Sequence, residues 1–223
     1  MGLATADISD AVQDYAKAIY SLSRRAAEPV STSALADRLG VSAASASAMV
    51  KRLAVLGLVE HEPYRGVELT ASGERVALEV IRHHRLLELY LAEALGMPWD
   101  RVHEEAEVLE HAISPELSEL IAHKLGNPTR DPHGDPIPTP DGEIEEAPTR
   151  ALAEMQPGDR GTFARISDTD PNMLRYLSDR GIAPGAALEM VEREPFDGPI
   201  TVRTGGGDHA LGVGLARVMR ISR

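Results

Sequence analysis

Residues 100–112 read Asp-Arg-Val-His-Glu-Glu-Ala-Glu-Val-Leu-Glu-His-Ala, a run that can place two imidazoles and two carboxylates on one helix face. At about 100° per residue, His103, Glu107, Glu110 and His111 fall within an arc of roughly 100°. Such a face repels itself and is costly to bury unless a cation holds it together. Val102, Ala106, Leu109 and Ala112 supply apolar neighbours, which predicts a helix lying partly inside the protein. Taken alone, the run is equally compatible with a solvated acidic face carrying incidental histidines. His84 and Glu88, four residues apart on an earlier helix, either form a surface pair or supply further ligands. His133, in the turn-rich stretch Asp131-Pro-His-Gly-Asp-Pro-Ile-Pro, is placed to point back at the helices. Carboxylate and imidazole donors without sulfur suit hard or borderline ions such as Mn²⁺, with Fe²⁺ as the alternative. Co²⁺ or Zn²⁺ can substitute, because raw affinity does not favour manganese and selectivity must come from geometry and availability.

A hydrolytic metal site fits these residues poorly. His103-Glu-Glu-Ala-Glu107 approaches the His-Glu-x-x-His pattern but ends in Glu. Glu107-Val-Leu-Glu110-His111 approaches the inverted pattern but begins with Glu. Neither supplies two histidines, a carboxylate and a spare general-base glutamate. A metallohydrolase therefore stands only as the alternative from another class, and no catalytic residue is assigned. With two Phe and one Trp, an aromatic-lined pocket for an organic effector or substrate is not expected either.

Several elements must position these ligands. At 223 residues the chain can form two or three modest domains. It contains no cysteine, which excludes disulfides, thiolate zinc sites and iron–sulfur clusters. No apolar run approaches the ~18–20 residues of a membrane span, and the N-terminus lacks a signal-peptide pattern, so a soluble cytoplasmic protein is expected. The net charge of −12 argues at first sight against nucleic acid. Residues 1–70, however, carry seven basic residues (Lys17, Arg24, Arg25, Arg38, Lys51, Arg52, Arg65) against eight acidic ones, so the acidity lies mostly downstream.

Val12, Tyr15, Ala16, Ile19 and Leu22 predict an amphipathic helix over 8–26, with Asp14 near its start where a carboxylate suits the helix dipole. Residues 31–57 read as helix, glycine turn, helix: Ser31-Thr-Ser caps the first, Gly40 ends it, Val41 packs inward and Ser42 caps the second. The outer face of the second helix offers Ser42, Ala43, Ala44, Ser45 and Ser47, small enough to enter a major groove, with Lys51 and Arg52 for phosphates. An ordinary helical hairpin is the alternative. Residues 58–70 alternate around Pro63-Tyr-Arg-Gly, a β-hairpin of the kind that forms the wing of a winged helix, with Arg65 at its tip. A long helix follows over 72–94. Ser114-Pro115 starts another, with Leu117, Leu120, Ile121 and Leu125 as its stripe. Proline and acidic residues crowd 126–150, the expected linker. Beyond it, segments at 162–166, 188–191, 200–203, 209–211 and 217–221 read as short strands, interrupted by one helix at 171–180: a small β-barrel.

Winged helix, His-rich helix, acidic Glu/His helix, Pro-His-Gly-Asp-Pro-Ile-Pro linker and small barrel, in that order, resemble the diphtheria-toxin-repressor family of metal-dependent regulators over nearly the whole chain. The resemblance is nearest to its actinobacterial manganese-responsive branch. It implies an α+β chain: a winged helix-turn-helix at 1–71, a helical metal-binding and dimerisation domain at 72–127, a linker at 128–150 and an SH3-like, FeoA-like barrel at 151–223. It also implies a homodimeric repressor, not an enzyme, that binds palindromic double-stranded operator DNA when a divalent metal activates it. Carried over by position, Asp14, Glu107, Glu110 and His111 would be primary ligands. His84, Glu88, His103, His133 and Asp168 would be ancillary ones. The iron-responsive members place Met and Cys where this chain has Asp14 and Glu107. The short manganese members place a carboxylate where this chain has Lys17, and a barrel glutamine of the iron type falls on Pro171. Two separated sites are therefore expected rather than the short members' close pair.

Overall fold

A computed structural model describes residues 8–24, 29–62, 65–167 and 170–223. The chain divides into two compact units, residues 1–83 with 138–143, and residues 84–137 with 144–223.

In the first unit, α1 (Asp10–Ser23), α2 (Thr32–Leu39) and α3 (Ala43–Val55) precede the hairpin β1 (Val59–Glu62) and β2 (Gly66–Leu69). The expected caps are made: the Ser31 hydroxyl accepts from Ala34 N–H at 3.1 Å, and Ser42 from Ser45 N–H at 3.1 Å. Gly40 closes α2 at φ +64°, where a side chain would be strained. Val12, Ile19, Leu35, Ala46, Val50, Leu53 and Val67 form the core. A third extended piece joins the hairpin: Val30 and Val67 exchange backbone hydrogen bonds of 3.0 and 2.9 Å. Val41 does not pack inward as the pattern suggests. It is 38 % exposed, because α2 ends with the left-handed Gly40 and the turn lifts the next side chain off the core. Thr70 caps the long helix α4 (Ala71–Leu95), and Gly73 lets it lie against the hairpin, since a Cβ there would sit 1.9 Å from the Leu58 carbonyl oxygen. Pro63 and Tyr64 at the wing tip lie outside the described residues.

The second unit takes α4 from His84 onward, then α5 (Val102–Leu109) and α6 (Pro115–Lys124), packed through Leu86, Leu89, Ala106, Ile121 and Ile137. The helix at 100–112 is shorter than its periodicity suggests: Glu110 stands at its C-cap and His111 in the turn beyond. The α6 stripe also divides. Ile121 is buried, whereas Leu117 and Leu120 are 44 % and 62 % exposed.

The rest of this unit is a six-stranded antiparallel sheet in the order β3 (Arg150–Ala151), β8 (Arg220–Ser222), β4 (Arg160–Arg165), β5 (Ala187–Arg193), β6 (Ile200–Thr204), β7 (Gly207–Leu211). It is SH3-like, and Phe163, Leu174, Leu177, Met190, Val202 and Met219 fill its core. The helix expected at 171–180 is α7 (Pro171–Ser178), started by the Asp170 side chain on Asn172 N–H. The strand expected from Arg217 begins only at Arg220. Residues Val213–Val218 are instead a short helix, α8, which buries Leu215 and Ala216 in the barrel core, a tertiary gain that overrides the poor helix propensity of its glycine. Among the described residues, no helix is long and apolar enough to cross a membrane.

Candidate metal centre

The second unit gathers most of the residues that the spacing singled out. Four-residue spacing on α4 sets His84 beside Glu88, and α5 brings His103, Glu107 and Glu110 against them. His84 Nε2 lies 3.0 Å from Glu88 Oε1 and 3.1 Å from His103 Nδ1, and His103 Nδ1 is 3.3 Å from Glu88 Oε1. On its other side, His84 Nδ1 is 2.5 Å from Glu110 Oε2 and 3.8 Å from Glu107 Oε1. Glu110 Oε1 is 3.5 Å from His111 Nε2. His84, Glu88 and His103 are thus contiguous with Glu107, Glu110 and His111, joined through His84. An imidazole touching carboxylates at both nitrogens needs two protons to hydrogen-bond both, and a cation on either side replaces one of them.

The burial is deep and the charges are many. Glu88 and Glu110 are each 1 % exposed, His84 5 % and His133 0 %, while the Glu107 side chain is 45 % exposed. Burial pushes Glu88 up, but His84 foremost, with His103 and His133, outweighs it and holds the carboxyl well below the usual range.

His133 enters from the 130–137 loop, which is not a slack linker. Its Nε2 is 2.7 Å from the Trp99 carbonyl oxygen, and since a carbonyl only accepts, Nε2 carries the hydrogen and Nδ1 faces Glu88 Oε2 at 3.6 Å. Both facing atoms are buried and neither has a hydrogen-bond partner. Burial lowers the His133 pKa, yet Glu88, then Asp131 and the Trp99 carbonyl, raise it to about 9. A buried carboxylate with three imidazole nitrogens within 3.6 Å is a donor set that fits a divalent cation once a proton is displaced.

Asp131 was not among the residues singled out by spacing. It is 7 % exposed, its Oδ1 accepts the N–H groups of His133 and Asp135, both at 2.9 Å, and its Oδ2 is 3.7 Å from Arg85 Nε. Burial, then the charges of Glu88 and Asp135, push its carboxyl well above the usual range. The signal was present in Asp131-Pro-His133, the pattern of an Asx turn. Gly134, at φ +88°, lets this loop lie against β4, where a Cβ would meet the Ala164 carbonyl oxygen at 1.9 Å. Gly134→Ala should therefore displace His133 and cost about 10–100-fold in metal affinity by calorimetric titration, the usual effect of disturbing what orients a ligand. Unchanged affinity would separate the loop from the site. Asp168 lies outside the described residues. Asp14 stands half-buried on α1, in the first unit.

The candidate DNA-contacting residues sit on α3 and the hairpin. Ser42, Ala43, Ala44, Ser45, Lys51, Arg52 and Arg65 are exposed and Ser47 half-buried. Ser42 and Ser45 share a 2.8 Å hydroxyl contact, and Ser42 also caps the helix, so their hydroxyls are partly committed to each other.

Three family profiles match successive parts of the chain: the iron dependent repressor N-terminal DNA binding domain over residues 7–67, the iron dependent repressor metal binding and dimerisation domain over 70–139, and the FeoA domain over 150–223. The iron-dependent repressor IdeR of Mycobacterium leprae (strain TN) is 30 % identical, the match spanning 97 % of this chain and 99 % of that protein. The diphtheria toxin repressor of Corynebacterium efficiens is 36 % identical over 97 % of each. Among solved structures, a manganese-dependent transcriptional repressor in complex with manganese is 47 % identical with a TM-score of 0.86, covering 94 % of this chain and 98 % of its own. The manganese regulator SloR is 31 % identical with a TM-score of 0.74, covering 95 % and 98 %. Fold and relatives define a metal-dependent transcriptional repressor, a regulator rather than an enzyme. The chain belongs to the iron- and manganese-dependent repressor family typified by the diphtheria toxin repressor.

Proposed function

We propose that this repressor responds to manganese and binds palindromic operator DNA as a homodimer, controlling genes of metal-ion homeostasis. The observation that carries the reading is the sulfur-free donor cluster on α4 and α5, with Glu110 buried between His84 and His111. Oxygen and imidazole donors suit Mn²⁺, and the 47 % identity to a manganese-dependent repressor supports that choice. Iron remains the second reading, favoured by the names of the curated relatives at 30–36 % identity.

In this reading Asp14, Glu107, Glu110 and His111 are the primary ligands, and His84, Glu88, His103 and His133 the ancillary ones, with Asp168 from the barrel. A bound cation supplies charge neutralisation and no chemistry. Unneutralised, the carboxylates gathered around His84 repel one another, and a cation would offset that repulsion. Val108, Leu117 and Leu120, 73 %, 44 % and 62 % exposed, offer an apolar face for a second copy of the chain. Two α3 helices could then meet successive major grooves about 34 Å apart, with Ser42, Ala43, Ala44, Ser45 and Ser47 toward bases and Lys51, Arg52 and Arg65 toward phosphates. Because such coupling is reciprocal, operator DNA should in turn tighten metal binding.

Binding of the full chain to a pool of genomic fragments, with Mn²⁺, Fe²⁺, Co²⁺ and Zn²⁺ added separately, tests the assignment. Mn²⁺ should select discrete palindromic fragments at the lowest free concentration relative to its cellular availability. Selection that is indifferent to metal would overturn the proposal, and selection by Fe²⁺ alone would replace manganese with iron.

A further inference from the structure

We propose that residues 136–143 are a strap laid along α4, a distant piece of chain that completes the DNA-binding unit and through which the metal-binding unit acts on operator affinity. The inference rests on the reading of the chain as a metal-activated repressor. It gives a working role to the Pro-Ile-Pro-Thr-Pro run at 136–140, which composition alone reads as linker.

The chain passes from one compact unit to the other within α4, between His83 and His84, again between Ile137 and Pro138, and back between Glu143 and Ile144. Through the first of these crossings α4 is unbroken. The second is tied to the same helix on both of its sides. On the metal-binding side Arg85 donates to the Pro136 carbonyl oxygen, and Ile137 is buried with Leu86 and Leu89. On the DNA-binding side Arg82 Nη1 donates to the Pro138 carbonyl oxygen at 2.8 Å. Farther along, a Cβ at Gly142 would meet Leu78 Cδ1 at 3.4 Å, so the backbone there lies on that side chain. Leu78 is 6 % exposed without belonging to the core around Val12, Ile19 and Leu53, and Gly142 covers part of it. Arg85, Arg82 and Leu78 step back along one face of α4, about a turn at a time, as Pro136, Pro138 and Gly142 step forward. Strap and helix therefore run antiparallel.

The segment is also stiff. Proline at 136, 138 and 140 fixes φ at every other residue and pushes Asp135, Ile137 and Thr139 toward extended backbone. Its far end is a closed turn. Thr139 N–H donates to the Glu143 carbonyl oxygen at 2.8 Å, Gly142 N–H to that of Thr139 at 2.9 Å, and Glu143 N–H to Thr139 Oγ1 at 3.0 Å. Gly142 sits at φ +81°, where any side chain is strained. A stiff connection anchored on each side of a crossing transmits a displacement that a flexible linker would absorb. With α4 as the single connection, the default is free relative motion of the units, and a second stiff one on the same helix restricts it.

The test measures operator binding by the full chain with and without saturating Mn²⁺, by fluorescence anisotropy, beside Mn²⁺ affinity by calorimetric titration. The triple variant P138G/T139G/P140G keeps the length of the strap and slackens it. Gly142→Val forces its turn off Leu78. Each should keep the Mn²⁺ affinity and the metal-free DNA binding of the wild type. Each should lose on the order of tenfold of the operator affinity that Mn²⁺ adds, the scale of coupling between two sites. Hydrogen exchange should quicken over residues 76–83 in both. If both variants bind operator as the wild type does, the segment is a plain tether and the proposal falls alone. If Mn²⁺ affinity drops by as much as operator affinity, the loss arises at the metal ligands and the proposal falls likewise. Should Gly142→Val prove misfolded by circular dichroism, the triple variant, which introduces no strain, decides. A wild-type chain whose operator binding ignores Mn²⁺ would instead overturn the repressor reading on which the strap rests.

Discussion

Replacing Glu110 by glutamine should abolish metal-dependent operator binding while leaving the fold in place. Glu110 is 1 % exposed at the C-cap of α5, with Oε2 at 2.5 Å from His84 Nδ1 and Oε1 at 3.5 Å from His111 Nε2. Glutamine preserves the volume and removes the charge that makes the cluster a cation site. Specific binding by such proteins is typically at least 10³-fold tighter than their non-specific binding, so the loss at saturating Mn²⁺ should be on the order of 10³-fold. Fluorescence anisotropy on an operator fragment reads it directly. Glu107→Gln, at a side chain 45 % exposed, should cost less, because water there already screens the charge. A Glu110→Gln chain that still answers to manganese would remove Glu110 from the primary set.

Manganese should also stabilise the protein, and increasingly so as the pH rises. An ion at a hundredfold excess over its Kd adds about 2.7 kcal/mol, which for a chain of this size moves Tm by about 5–11 °C. His133 bears on the slope. Its pKa is raised from 6.5 to about 9, so its contribution to the metal-free fold is complete below pH 6.5 and is lost as the pH rises through about 9. A cation at Nδ1 needs that proton gone, so its advantage runs the opposite way. Scanning calorimetry with and without Mn²⁺ should therefore show a Tm difference that widens from pH 6.5 to about 8.5. A difference that stays constant would take His133 out of the ligand set.

Much of the candidate site was legible because its chemistry is local. His84 and Glu88 are one turn apart on a single helix, and so are His103 and Glu107, so their shared faces follow from helical geometry alone. The caps were legible for the same reason: Ser31, Ser42 and Ser114 each accept from the N–H three residues on, whatever the rest of the chain does. Where readings went astray, a distant partner had decided. Residues 213–218 became helix because the barrel core receives Leu215 and Ala216.

The sequence by itself determined the class of protein, the order of its parts and a donor set of carboxylate and imidazole without sulfur. Returning to residues 100–112, periodicity put four ligands on one continuous face, whereas the helix ends at Leu109 and leaves His111 in a turn. Only the tertiary structure joined Glu110 to His84, turned His133 Nδ1 onto Glu88 with the Trp99 carbonyl, and buried Asp131 beside them. The physical reason is range. Residue spacing governs neighbours within one or two turns, but a buried charge is settled by whichever groups long-range packing brings within a few ångströms, here from segments 26 to 45 residues apart along the chain.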